Sequence, residues 1–88
     1  MNDKEKEYCV RVGSIIRELR KKVAGKSLCI FAYENDIPRS TLSRLERGEA
    51  EWGLVTLAKV AVGFGCKLSE LFKMIEDELG DEFKFLDE

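Results

Sequence analysis

Ser27–Gly48, SLCIFAYENDIPRSTLSRLERG, is the stretch that decides the fold. Two short helices are legible in it, one from about Leu28 to Glu34 and one opening at Pro38 and running to about Arg47. Ser27 suits the N-cap of the first, because its hydroxyl can accept an orphan backbone N–H. Pro38 suits the first turn of the second, since its fixed φ and missing N–H cost nothing there. Asn35 and Asp36 form the turn between them, and both tolerate a positive φ. Phe31, Ala32, Ile37, Leu42 and Leu45 fall where two crossed helices must touch. Arg39, Ser40, Ser43 and Arg44 fall on the other side of the second helix. This is the layout of a helix-turn-helix, whose second helix enters a DNA major groove.

Working outward, a first helix is expected from about Glu5 to Val23, with Val12, Ile16, Leu19 and Val23 as its inward stripe. Gly25 ends it in the left-handed conformation. Gly13 inside it costs about 1 kcal/mol relative to Ala in an exposed site, and close packing is the one return it could give. After a loop at Glu49–Gly53, a fourth helix is expected over Leu54–Phe64, with Leu57, Val60, Ala61 and Phe64 inward. A fifth follows over Leu68–Leu79, burying Leu71 and Phe72 first. The tail after Gly80 alternates Phe83 and Phe85 with charge and reads as a short strand, a helix extension or a flexible end. The expectation is an all-α, five-helix bundle, with residues 1–80 as the domain and 81–88 as an acidic tail.

The 88 residues suit one small domain, 44% hydrophobic. No apolar run approaches the roughly 18–20 residues that span a bilayer, and the charged start MNDKEKEY is unlike a secretory signal. A cytoplasmic location is expected. The net charge is −2, but it is unevenly placed. Residues 1–48 hold 11 Lys/Arg and 7 Asp/Glu, a net of +4, whereas residues 49–88 hold 4 and 10, a net of −6. Either the N-terminal half offers phosphates a basic face, or the surface is simply mixed. Cys9, Cys29 and Cys66 are widely spaced, without a CxxC pair, and the chain has no histidine. No zinc site, other metal or cofactor is expected, and free thiols suit a reducing compartment. Cys29 and Cys66 lie near apolar runs and read as core or near-core residues. With no histidine, glycine-rich phosphate loop or nucleophile–base pair, an enzyme is not expected.

Over roughly Val12–Phe72 the chain resembles the phage-repressor and Cro-type helix-turn-helix family. The resemblance rests on VGSIIRELRKK, the Ser27-led second helix, IPRSTLSRLERG, TLAKVAVGFG and LSELF, in that order. It implies a five-helix, lambda-repressor-like domain, usually dimeric on DNA. Most members regulate transcription; they include phage repressors, restriction–modification controllers and antitoxins. Arg39, Ser40 and Arg44 match the usual base-reading positions. An arginine there can donate two hydrogen bonds to guanine, worth about 1–3 kcal/mol of discrimination. Ser27, Thr41, Ser43 and Arg47 are the candidate backbone contacts, supported by the anion-favouring start of the second helix. Arg20 and Glu46 match positions that form a buried ion pair joining the first and third helices.

Several residues depart from the pattern. Leu28 stands where many members have a phosphate-binding Gln, Asp36 replaces a turn Gly, and Trp52 stands where Pro is common. Glu49 and Glu51 occupy a loop that is often basic. Leu28, Glu49 and Glu51 support a second reading, a protein-interaction module such as an antitoxin or adaptor. The first reading implies double-stranded DNA as partner and a homodimer, because one reading helix covers only a few base pairs. Val55, Val62, Met74, Ile75, Leu79, Phe83 and Phe85 are the candidate seam; alternatively Met74, Ile75 and Leu79 pack back on their own core.

Overall fold

The local signals above become five α-helices in the computed structural model, which describes residues 1–86. They are α1 (Asp3–Leu19), α2 (Leu28–Glu34), α3 (Arg39–Glu46), α4 (Leu54–Gly63) and α5 (Leu68–Leu79). There is no strand among the described residues. Helix α1 packs against α3 and α5, α2 against α3, and α4 against α5. The core between them is built from Val12, Ile16, Phe31, Leu42, Val60 and Leu71, with Ile37, Ala61 and Phe64 closing its edges. Phe31 and Phe64 meet ring to ring at 5.4 Å.

Helix α1 starts two residues before the expected Glu5. Asn2 Oδ1 accepts the Glu5 N–H at 2.9 Å, and Glu5 Oε1 accepts the Asn2 N–H at 3.0 Å. This reciprocal cap satisfies two donors that a helix start otherwise leaves orphaned. The far end also differs. Residues Arg20–Ala24 form a π-helical turn, closed by the Gly25 N–H to Arg20 O at 3.0 Å. The wider turn rotates the face that points inward. Ala24 therefore returns to the core, and Val23, expected inward, is exposed.

Other expectations are corrected by burial. Helix α5 buries Leu71, Ile75 and Leu79, one helical turn apart, so Phe72 falls at the edge and is exposed. Ile75 and Leu79 are thus core residues of their own chain and cannot serve as an exposed seam. Met74 is half-buried against the core. Cys29 lies on the outward side of α2 and is exposed, Cys66 is half-buried against the core, and Cys9 is buried. The described part of the tail, residues 81–86, is neither strand nor helix. It folds back on α1: the rings of Phe83 and Phe85 lie 5.2 and 4.9 Å from that of Tyr8. Arg11 fastens it, with its guanidinium 5.6 Å from the Phe83 ring and Nη2 donating to Leu79 O at 3.0 Å. The expected tail also includes residues 87 and 88, which lie outside the described residues.

Two glycines let α1 meet the end of α3 backbone to backbone. A Cβ on Gly13 would stand 2.5 Å from Leu45 O and 2.7 Å from Glu46 O. Gly48 has φ +74°, and a Cβ there would stand 2.5 Å from Val10 Cα. No larger residue fits either place without moving a helix, so these contacts fix where α3 sits.

Candidate nucleic-acid interface

The turn between α2 and α3 is short and fully bonded. Ile37 N–H donates to Ala32 O at 2.9 Å, and the Asn35 side-chain amide donates to Phe31 O at 2.9 Å. Asp36 takes φ +54°, a conformation that a short polar side chain tolerates. Lys59 on α4 braces the turn, its Nζ donating to Asp36 O at 2.7 Å. Ile37, Leu42 and Leu45 are buried, which turns the opposite side of α3 outward.

On that outward side Arg39, Ser40, Ser43, Arg44 and Arg47 border one shallow, open depression. Arg39, Ser40 and Arg44 are exposed, while Thr41 and Ser43 are half-buried. Thr41 and Ser27 stand apart from the depression. Ser27 is exposed at the head of α2, where its Oγ accepts the Ile30 N–H at 3.3 Å. Arg47 is not a free cation. Its Nε and Nη2 donate to the Glu49 carboxylate at 2.8 and 3.2 Å, and its Nη1 donates to Ser43 Oγ at 3.1 Å. The pair is exposed, so it contributes only about 0–1 kcal/mol to stability and yields readily to a competing anion.

Beneath α3 lies a pair of a different kind. Arg20 Nε and Nη2 donate to the two Glu46 carboxylate oxygens at 2.8 and 2.9 Å. The side chains are only 6% and 3% exposed. Arg20 Nη1 also donates to Lys26 O at 2.8 Å, so one guanidinium ties α3 to α1 and to the segment entering α2. The hydrogen bonds to Glu46 raise the Arg20 pKa above its ordinary value, although burial opposes them. The forked geometry fixes orientation as well as distance.

This arrangement, a short outward α3 locked to its scaffold behind a bonded turn, matches a known kind of domain. The profile of the Cro/C1-type helix-turn-helix DNA-binding domain fits residues 24–77. The chain belongs to that family. The control protein C.MunI of a Mycoplasma species is 39% identical over 69 residues, which cover 78% of this chain and 93% of that protein. As a Cro/C1-type domain the chain is a DNA-binding transcriptional regulator, with α2 and α3 as its helix-turn-helix. None of its described helices is long and apolar enough to cross a membrane.

Three residues that position this surface escaped the reading of the sequence. Glu49 was noticed as an acid in a loop, but its grip on Arg47 was not. An acid two residues after an arginine at a helix end was the available signal. Lys59 reaching the turn had no signal, because its partner is 23 residues away. Lys26, paired with Glu34 across α2, had none either.

Proposed function

We propose that the chain recognises a specific operator as a homodimer, laying α3 of each copy in the major groove. Arg39, Ser40 and Arg44 read base edges, the two arginines taking guanine O6 and N7. Ser27, Thr41, Ser43 and Arg47 hold the phosphate backbone and set the register. Arg20 and Glu46 do not touch DNA; they keep α3 at the angle the groove requires. Residues 1–80 form the DNA-binding unit, and 81–88 an appended acidic tail, acting in the cytoplasm. The observation that carries the reading is the exposed set of Arg39 and Arg44 on α3 with Arg47 just beyond its end, above a buried ion pair that ties α3 to α1.

The homodimer follows from affinity, since two half-sites about one helical turn apart need two reading helices. Val55 and Val62 on α4, 69% and 74% exposed, are the most exposed of the seam candidates. Among the kinds of regulator the family holds, the likeness to a control protein favours a restriction–modification controller over a phage repressor or an antitoxin.

Selection of bound duplexes from a random pool tests the proposal. A two-fold symmetric site should emerge, and Arg39→Ala should relax one position in each half. An enriched pool with no common sequence, or a monomer at high micromolar concentration by sedimentation, overturns it. Failure to bind DNA at any salt points instead to the interaction module that Glu49, by occupying Arg47, favours.

A further inference from the structure

A cleft on the side of the molecule formed by α1 and α5 has no part in DNA reading. Its volume is about 480 Å³, within the range of roughly 300–1,000 Å³ typical of small-molecule sites. Four aromatic side chains wall it: Tyr8 from α1, Trp52 from the loop after α3, Phe72 from α5 and Phe85 from the tail. Buried Val12 and Ile75 form its floor, with Leu57 beside them. The indole N–H of Trp52 is shielded and has no acceptor among the described residues. Phe85 is tied in place through Tyr8 and Phe83.

Among the described residues, the charged side chains that line this cleft are of one sign. Glu5, Glu51 and Glu76 line it, and no lysine or arginine does. Glu5 is committed to capping α1 through Asn2. The side-chain carboxylates of Glu51 and Glu76 have no hydrogen bond or ion pair among the described residues. The thiol of Cys9, also in the lining, registers the field. Burial pushes its pKa up first, and Glu51 and Glu5 push it further, against the N-terminal ammonium, which lowers it.

We infer that this cleft binds a small organic cation with an apolar body, its charge held between the aromatic faces and the Glu51 and Glu76 carboxylates. Ring faces attract a cation through their quadrupole, most strongly where it is desolvated. The aromatic walls and apolar floor bury the body, and the carboxylates set the sign of the ligand. Nucleic acid and acidic peptides are excluded by the same charges. A second copy presenting this face symmetrically would bring its own Glu51 and Glu76 against these.

Trp52 is the chain's single tryptophan, so its emission reports the site directly. The probes are benzyltrimethylammonium, neutral benzyl alcohol and anionic phenylacetate, titrated into the full chain without DNA. The cation should give a saturable change in Trp52 emission, with a Kd on the order of 1 mM or tighter. The other two should bind at least about tenfold more weakly. Glu51→Gln together with Glu76→Gln should weaken the cation about tenfold while leaving helicity by circular dichroism unchanged. Equal binding of all three probes, or no saturation by the cation below tens of millimolar, overturns the inference. A response that tracks protein concentration rather than probe charge also overturns it, in favour of a second copy closing the cleft. None of these readouts depends on operator recognition.

Discussion

Glu46 has almost no contact with solvent, yet it carries a charge that Arg20 must meet with two hydrogen bonds. Removing one partner of such a pair strands the other, at a cost of about 3–5 kcal/mol. Glu46→Gln should therefore lower unfolding stability by that amount in urea denaturation, and unchanged stability would contradict the burial. A small domain has only about 5–15 kcal/mol in all, so the variant should be partly unfolded when warm. Arg20→Met with Glu46→Leu should recover much of the loss, because an apolar pair leaves no stranded charge. The thiols sort by the same logic of burial. Cys29 is exposed, whereas burial holds the Cys9 and Cys66 thiols above the ordinary thiol pKa. Cys29 should react first with a disulfide reagent near pH 8, and Cys9 only on unfolding. The raised thiols favour the folded state below the unfolded thiol pKa. That contribution fades as pH climbs through the higher folded values, so stability should fall in alkali, and Cys9→Ala should reduce the fall.

Among the elements, α3 depends on α1 through backbone contact, not through side chains. Gly13→Ala places a methyl within 2.5 Å of Leu45 O, a backbone atom that cannot swing aside. We expect a loss of about 1–3 kcal/mol in chemical denaturation, as overpacking usually costs. DNA affinity should drop further than stability accounts for, because α3, the proposed reading helix, is displaced. Gains from the higher helix propensity of alanine are too small to offset this. The five helices were legible because their apolar spacing and end residues are local: Ser27 and Pro38 stand where elements begin, Gly48 and Gly65 where they end. The π turn was not legible: it opens at Arg20, whose buried partner Glu46 is 26 residues away. Phe72 is expected inward but is exposed, and Ile75 and Leu79 stay open between core and seam, for a related reason. A 12-residue helix shows its apolar side chains in the sequence, but which of them face α1 and α4 is settled by packing. The outward positions of α3 were readable because Leu42 and Leu45 had to be buried, leaving Arg39, Ser40 and Arg44 opposite. The clamp of Glu49 on Arg47 has a local signal, an acid two residues after an arginine at the end of α3, but its geometry depends on the turn at Gly48.

At the scale of the whole molecule, charge is divided between the two ends of the sequence: +4 up to Gly48 and −6 beyond it. Phosphates approaching α3 meet three arginines, and the first acid behind them is Glu49, already bonded to Arg47. Binding should weaken steeply with salt, because each phosphate neutralised releases a counterion, with a slope of about −0.9 per contact in a log–log plot. Glu49→Gln changes that balance in a defined direction. It frees the Arg47 guanidinium, removes a like charge from the path of the backbone, and leaves Arg39 and Arg44 untouched. The exposed pair it breaks stabilises the fold by no more than about 1 kcal/mol. The variant should therefore bind all duplexes more tightly at low salt, with a slope steeper by about 0.9 per protomer. Its discrimination between operator and random DNA should stay within about twofold, since a phosphate contact carries no sequence information. Arg47→Ala should do the reverse, weakening every duplex alike and making the slope shallower, while Arg39→Ala should change discrimination with little change of slope. Fluorescence anisotropy across a salt series, on operator and on scrambled duplex, separates the three variants. A Glu49→Gln protein with the parent's slope on both duplexes would show that Arg47 stays clear of the phosphates.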